Sequence, residues 1–69
     1  MKTYYELNAY EEEFTVYGVA HFDFNTNQWT LSNVTVTSGH VPEDCSAEDA
    51  LFNQLDLEID LEVNRSENL

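Results

Sequence analysis

The sequence predicts an α+β fold, a three-stranded antiparallel β-sheet with a C-terminal α-helix packed on one face. Three observations carry this reading. Residues Phe14 to Phe24 alternate in polarity at period two, and a second β-prone run, Gln28 to Thr37, follows after a short Asn-rich turn. Ser46 to Val63 (SAEDALFNQLDLEIDLEV) opens with a helix-capping residue and carries the densest set of large aliphatic side chains. The chain is also too short for more than one layer pair, so a sheet of this size needs one covering element.

Lys2 to Ala9 (KTYYELNA) is rich in tyrosine and alternates with Tyr5, Leu7 and Ala9 on one face, which predicts a first strand. Tyr10 to Glu13 holds three consecutive glutamates, whose mutual repulsion suits a connection. Phe14 to Phe24 (FTVYGVAHFDF) then places Phe14, Val16, Gly18, Ala20, Phe22 and Phe24 on one face. The small pair Gly18 and Ala20 leaves room there for a closely crossing helix. Asn25 to Gln28 predicts a turn, because asparagine tolerates positive φ. In the partner strand, Trp29 and Leu31 share a face. Val34 and Val36 continue one residue out of phase, so a bulge is expected around Ser32 and Asn33. Ser38 to Cys45 is punctuated by Gly39 and Pro42 and reads as a loop.

The tail supports two readings. Leu55, Leu57, Ile59, Leu61 and Val63 alternate with acids as a strand would. At about 100° per residue, Leu51, Phe52, Leu55, Ile59 and Val63 instead form a stripe about 120° wide, with Ala50, Leu57 and Leu61 on a second side. Helix is favoured because Leu, Ala, Glu and Gln are strong helix formers, whereas Asp and Glu are depleted from strands. Ser46 also stands as an N-cap, with Glu48 and Asp49 at the positive end of the helix dipole. The rival arrangement is a short helix to about Gln54 followed by a fourth strand. Residues 1–69 make one small domain, with residues 65–69 expected to fray.

Charge is the dominant functional signal. Fourteen Asp and Glu face only Lys2 and Arg65, a formal net charge of −12. Direct binding to nucleic acid is excluded, since phosphate contacts need Lys and Arg. A hydrophobic content of 42% and an aromatic content of 13% argue against disorder and for a core. Cys45 is the sole cysteine, so an internal disulfide is ruled out. The absence of an apolar run long enough for a signal peptide or a membrane span predicts a cytoplasmic protein. The two glycosylation sequons at Asn33 and Asn64 then carry no meaning.

Catalytic and cofactor chemistry find little support. Asp23-Phe24-Asn25-Thr26-Asn27 begins like a calcium loop, but Gln28 stands where glycine is required and Val34 where the bidentate glutamate is required. Cys45 precedes a helix N-terminus, with His21 or His40 as conceivable bases, yet so small a chain offers scant volume for a pocket. Carboxylate pairs are unspecific among so many acids. The aromatic residues lack the cations needed to hold a nucleic-acid backbone beside stacked bases. No enzyme activity, metal or cofactor is expected.

Magnitude sets the acidic array apart from a solubilising surface, since concentrated like charge destabilises a compact state. Carboxylates two apart on a strand, or one turn apart on a helix, repeat at roughly 5–7 Å, the scale of phosphate spacing in a nucleic-acid strand. Glu11, Glu12, Glu13, Glu43, Asp44, Glu48, Asp49, Asp56, Glu58, Asp60 and Glu62 are the candidate partner-binding residues. In size and charge the chain resembles the small acidic DNA mimics that phages and mobile elements encode against host defences, a likeness of type carried by no residue motif. The expectation is a non-enzymatic inhibitor that occupies the nucleic-acid groove of a basic protein in a bacterial host: a nuclease, a restriction or CRISPR complex, a nucleoid protein or a repair enzyme. The alternative is a small structural or regulatory adaptor whose charge serves only solubility. Ala50, Leu57 and Leu61 would be left wet in a monomer, so a homodimer using them as its contact is expected.

Overall fold

A computed structural model of the chain describes residues 2–67. Its elements run β1 (Tyr4–Tyr10), β2 (Phe14–Asp23), β3 (Gln28–Gly39) and α1 (Ala47–Glu67). The strands form one antiparallel sheet in the order β1-β2-β3, and α1 lies across one face. This is the α+β arrangement expected. The tail is one continuous helix, so the rival fourth strand after Gln54 does not form. Residues 65–67, where fraying is expected, continue the helical backbone, and the remainder of the 65–69 segment lies outside the described residues.

Alternation decides which side of each strand is buried. In β1, Tyr5, Leu7 and Ala9 point inward while Tyr4, Glu6, Asn8 and Tyr10 are exposed. In β2, Phe14, Val16, Gly18 and Ala20 line the same inner layer. Phe24 departs from this pattern. The strand ends at Asp23, and Phe24 enters the turn with its exposed ring edge-on to Phe22 at 5.1 Å. The turn is held by the Asp23 carboxylate, which accepts from the Asn25 N–H at 2.8 Å, and Asn27 takes a positive φ of 57°.

The phase slip in β3 has its predicted cause. Tyr17 pairs with Thr35 and Val19 with Ser32, so Asn33 and Val34 together oppose Gly18. Asn33 adopts φ 56°, the left-handed conformation that Asn accommodates better than most residues. A second irregularity sits between the Thr15–Ser38 and Val16–Val36 pairs. β3 runs to Gly39, two residues past the sequence expectation. There φ is +79°, and a β-carbon would collide with the Glu13 backbone, which also accepts the His40 N–H at 3.0 Å.

Helix α1 starts as its sequence demands. Ser46 Oγ accepts the Asp49 N–H at 3.4 Å, and the Ser46 carbonyl accepts the Ala50 N–H at 3.2 Å. Leu51 and Leu55 point into the sheet and are fully buried. Leu51 sits directly over Gly18, where an added β-carbon would lie 2.6 Å from its Cδ1. The small residue in mid-strand is therefore the socket for the helix. This docking rotates α1 so that Ala50 joins the core at 6% exposure, with Tyr5, Leu7, Ala9, Phe14, Val16 and Ala20. Phe52 and Ile59 flank the line of contact rather than centre it.

Candidate protein-binding surface

The helix orientation sorts the acids. With Leu51 and Leu55 facing the sheet, residues about 180° away face solvent; at about 100° per residue these are Asp49, Asn53, Asp56 and Asp60. All four are exposed. Asp56 and Asp60 are one turn apart, about 6 Å along the axis, and Asp49 lies about 10 Å before Asp56. Glu48 is exposed on the flank of the first turn. Glu58 and Glu62 turn the other way, toward the hairpin end of the sheet.

A second acidic group gathers at the start of the helix. The β1–β2 connection folds back beside the loop that leads into α1. Glu11, Glu12 and Glu13 border one shallow depression with Cys45, and Glu11, Asp44 and Asp49 border its neighbour. Glu43 is exposed on the same loop. The outer sheet face is different. Its cross-strand rows are Asp23–Gln28, Tyr4–His21–Thr30, Glu6–Val19–Ser32, Asn8–Tyr17–Thr35 and Tyr10–Thr15–Ser38, which contain two carboxylates, Glu6 and Asp23. Val19 is buried on this side although no helix covers it.

The second half of α1 overhangs the hairpin end of the sheet and leaves a cleft of about 560 Å³. Tyr5, Phe22 and Trp29 form one wall, and Ile59 and Val63 the other. The Trp29 ring lies 5.8 Å from Tyr5, tilted, and 5.4 Å from Phe22, edge-on, arrangements that suit aromatic quadrupoles. The Tyr5 hydroxyl donates to the Glu62 carboxylate, and the Lys2 ammonium sits over the Tyr5 ring, 4.6 Å from its centroid. Burial, then the bond to Glu62, then the charges of Glu62 and Glu58 push the Tyr5 phenol up to about 12. This cleft was not legible in the sequence. Its only local signals are the Phe22–Trp29 cross-strand pair and the one-turn spacing of Ile59 and Val63.

The remaining sequence candidates are dispersed. Ala50, expected at a dimer contact beside Leu57 and Leu61, is in the core instead, whereas Leu57 and Leu61 are 57% and 56% exposed. Their side of the helix turns out of the contact with the sheet, whereas Ala50, in the first turns of the helix, is covered as part of the core. Cys45 is exposed, and its thiol is pushed above the ordinary value by local desolvation and by the carboxylates of Asp44, Glu13 and Glu11. That environment opposes a thiolate nucleophile. His21 Nε2 is 3.0 Å from Ser32 Oγ on the outer face, with its ring edge-on to Tyr4. His40 borders a depression with Glu13 and Pro42. Among the described residues, no group of three or more His, Cys, Asp or Glu side chains is placed to hold a metal ion, and no helix is long and apolar enough to cross a membrane.

No protein-family model matches this chain, and searches of curated proteins and of solved structures return no match. The functional reading rests on the chain's own residues.

Proposed function

We propose that the protein is a non-enzymatic DNA mimic, an inhibitor whose acidic ridge occupies the nucleic-acid groove of a basic protein. One observation carries the reading: the carboxylates are segregated. Asp49, Asp56 and Asp60 line the solvent side of α1, and Glu11, Glu12, Glu13, Glu43, Asp44 and Glu48 gather about its N-terminus, while the cross-strand rows of the outer face hold only Glu6 and Asp23. A coat evolved for solubility alone has no reason to leave a whole sheet face with two of fourteen carboxylates.

Spacing along the helix supports the same reading. On its solvent side, Asp49 to Asp60 spans about 16 Å of axis and carries three carboxylates, with Glu48 on the flank, while Glu58 and Glu62 face the hairpin end. This is sparser than the charge along one strand of duplex DNA, about one per 3.4 Å, and the acidic group at the helix N-terminus extends it. A groove that binds phosphates would meet a similar field, with no base edges to read. Association would be fast and sensitive to salt. Suitable targets are nucleases, restriction or CRISPR complexes, nucleoid proteins and repair enzymes.

The reading includes a homodimer joined through the exposed leucines Leu57 and Leu61, one turn apart on α1. That contact lies to one side of the Asp49, Asp56 and Asp60 stripe and leaves the stripe free. Capture from a bacterial lysate on the immobilised protein tests the function. Recovery of DNA-binding proteins that duplex DNA displaces is the expected result. Recovery only of proteins that DNA does not displace would count against mimicry and favour the adaptor.

A further inference from the structure

The cleft at the hairpin end has a chemistry that the acidic ridge does not explain. A surface that only repels itself and attracts cations needs no aromatic wall. Here three aromatic rings, two aliphatic side chains and a carboxylate converge under the overhanging helix. Aromatic faces attract cations through their quadrupole, most strongly where water is partly excluded. Glu62 adds a full negative charge at the same place. Its bond from Tyr5 leaves acceptor capacity, because a carboxylate offers about four lone-pair sites. Ile59 and Val63 provide an apolar bed for a methylene stem. The structure also shows how a cation sits in it: the chain's own Lys2 ammonium lies over the Tyr5 ring.

We propose that this cleft is a receptor for one arginine side chain of a protein partner, which enters by displacing Lys2. A guanidinium is planar, stacks on aromatic faces and bonds carboxylates with two parallel N–H groups, so Trp29, Tyr5 and Glu62 suit it better than they suit a lysine. The inference rests on the reading of a basic partner and adds the anchor by which such a partner is gripped. The ridge supplies long-range attraction, and the cleft supplies one desolvated, oriented contact, the type of contact that dominates interface energetics.

Trp29 is the sole tryptophan and lies in the cleft wall, so its fluorescence reports occupancy directly. The probe is N-acetylarginine amide, titrated at fixed ionic strength against the uncharged isostere N-acetylcitrulline amide. Arginine should give a saturable change in the millimolar range, and citrulline none. Glu62→Gln should weaken the arginine response at least tenfold, while Glu12→Gln, which removes the same net charge elsewhere, should alter it less than twofold. Lys2→Ala should tighten binding several-fold by removing the competing ammonium. Equal responses to the two probes, equal losses in E62Q and E12Q, or silence in both wild type and K2A would each overturn the assignment. Those outcomes leave the ridge untouched, since partner capture and its displacement by DNA are measured separately. Conversely, arginine in the cleft without any DNA-displaceable partner would retain the receptor and sink the mimic.

Discussion

Gly18→Ala isolates the contact on which the orientation of α1 depends. The backbone at Gly18 is ordinary strand, so alanine meets no conformational barrier there, and the difficulty is space alone. The new β-carbon would stand 2.6 Å from Leu51 Cδ1, and because Leu51 is fully buried its side chain has to shift within the core to admit it. Overpacking of this kind costs about 1–3 kcal/mol. Loss of unfolded-chain freedom on replacing glycine offsets about 0.4–1 kcal/mol of it. The net is a destabilisation of about 0–2.6 kcal/mol, centred near ~1 kcal/mol, with a fall in Tm of roughly 4–8 °C per kcal/mol for a domain this small. Urea denaturation of wild type, G18A, L51V and the double variant makes the test quantitative. Leu51→Val removes the clashing δ-carbons and by itself should cost about 1 kcal/mol. In that background G18A should become neutral or stabilising, a coupling of about 1–2 kcal/mol. Additive costs, or a stabilising G18A in the wild-type background, would show that helix and strand do not meet where the structure has them.

Three further outcomes follow from the structure. Tyr5 binds its proton more tightly in the folded chain than its ordinary 10.0, so the associated stability is full below pH 10 and is lost as pH rises through about 12. Alkaline denaturation with and without Tyr5→Phe checks this: the variant should lose the steep part of the pH dependence, and an identical pair of curves would refute it. Light scattering should give particles of twice 8.0 kDa at micromolar concentration, more so in high salt, which screens the self-repulsion of two chains at −12. Leu57→Glu with Leu61→Glu should return them to 8.0 kDa, and wild type found only at that mass would remove the dimer. Finally, Cys45 should alkylate more slowly than free cysteine at neutral pH, and Asp44→Asn should speed it. A faster wild-type reaction would contradict the electrostatics around the thiol.

Much of the fold was readable because it is local. Period-two alternation from Phe14 to Phe22 fixed an inner face, and the phase slip after Leu31 located a bulge. Gly18 and Ala20 marked where a helix would cross. The Leu55–Val63 ambiguity was harder, since strict alternation suits a strand as well as two sides of a helix. Capping at Ser46 and an inner sheet face needing cover decide it, and Leu51 and Leu55 supply that cover. What was not readable is the rotation of α1. Apolar counting gave a stripe of Leu51, Phe52, Leu55, Ile59 and Val63, whereas the Gly18 socket centres the contact on its Leu51–Leu55 edge and draws Ala50, expected on a second side, into the core. That rotation separates the Asp49, Asp56 and Asp60 stripe from Glu62. It also brings together Tyr5 and Glu62, 57 residues apart in sequence, a pairing no local pattern announces.

The most direct measurement is the affinity of a DNA-displaceable partner for the chain with Asp49, Asp56 and Asp60 all changed to Asn. These three exposed side chains lie opposite the core, so folding should be unaffected by circular dichroism. The account expects at least a tenfold loss of affinity, about 1.4 kcal/mol or more, with a flatter salt dependence. Unchanged affinity and an unchanged salt dependence would contradict it, and the charge would then serve solubility alone.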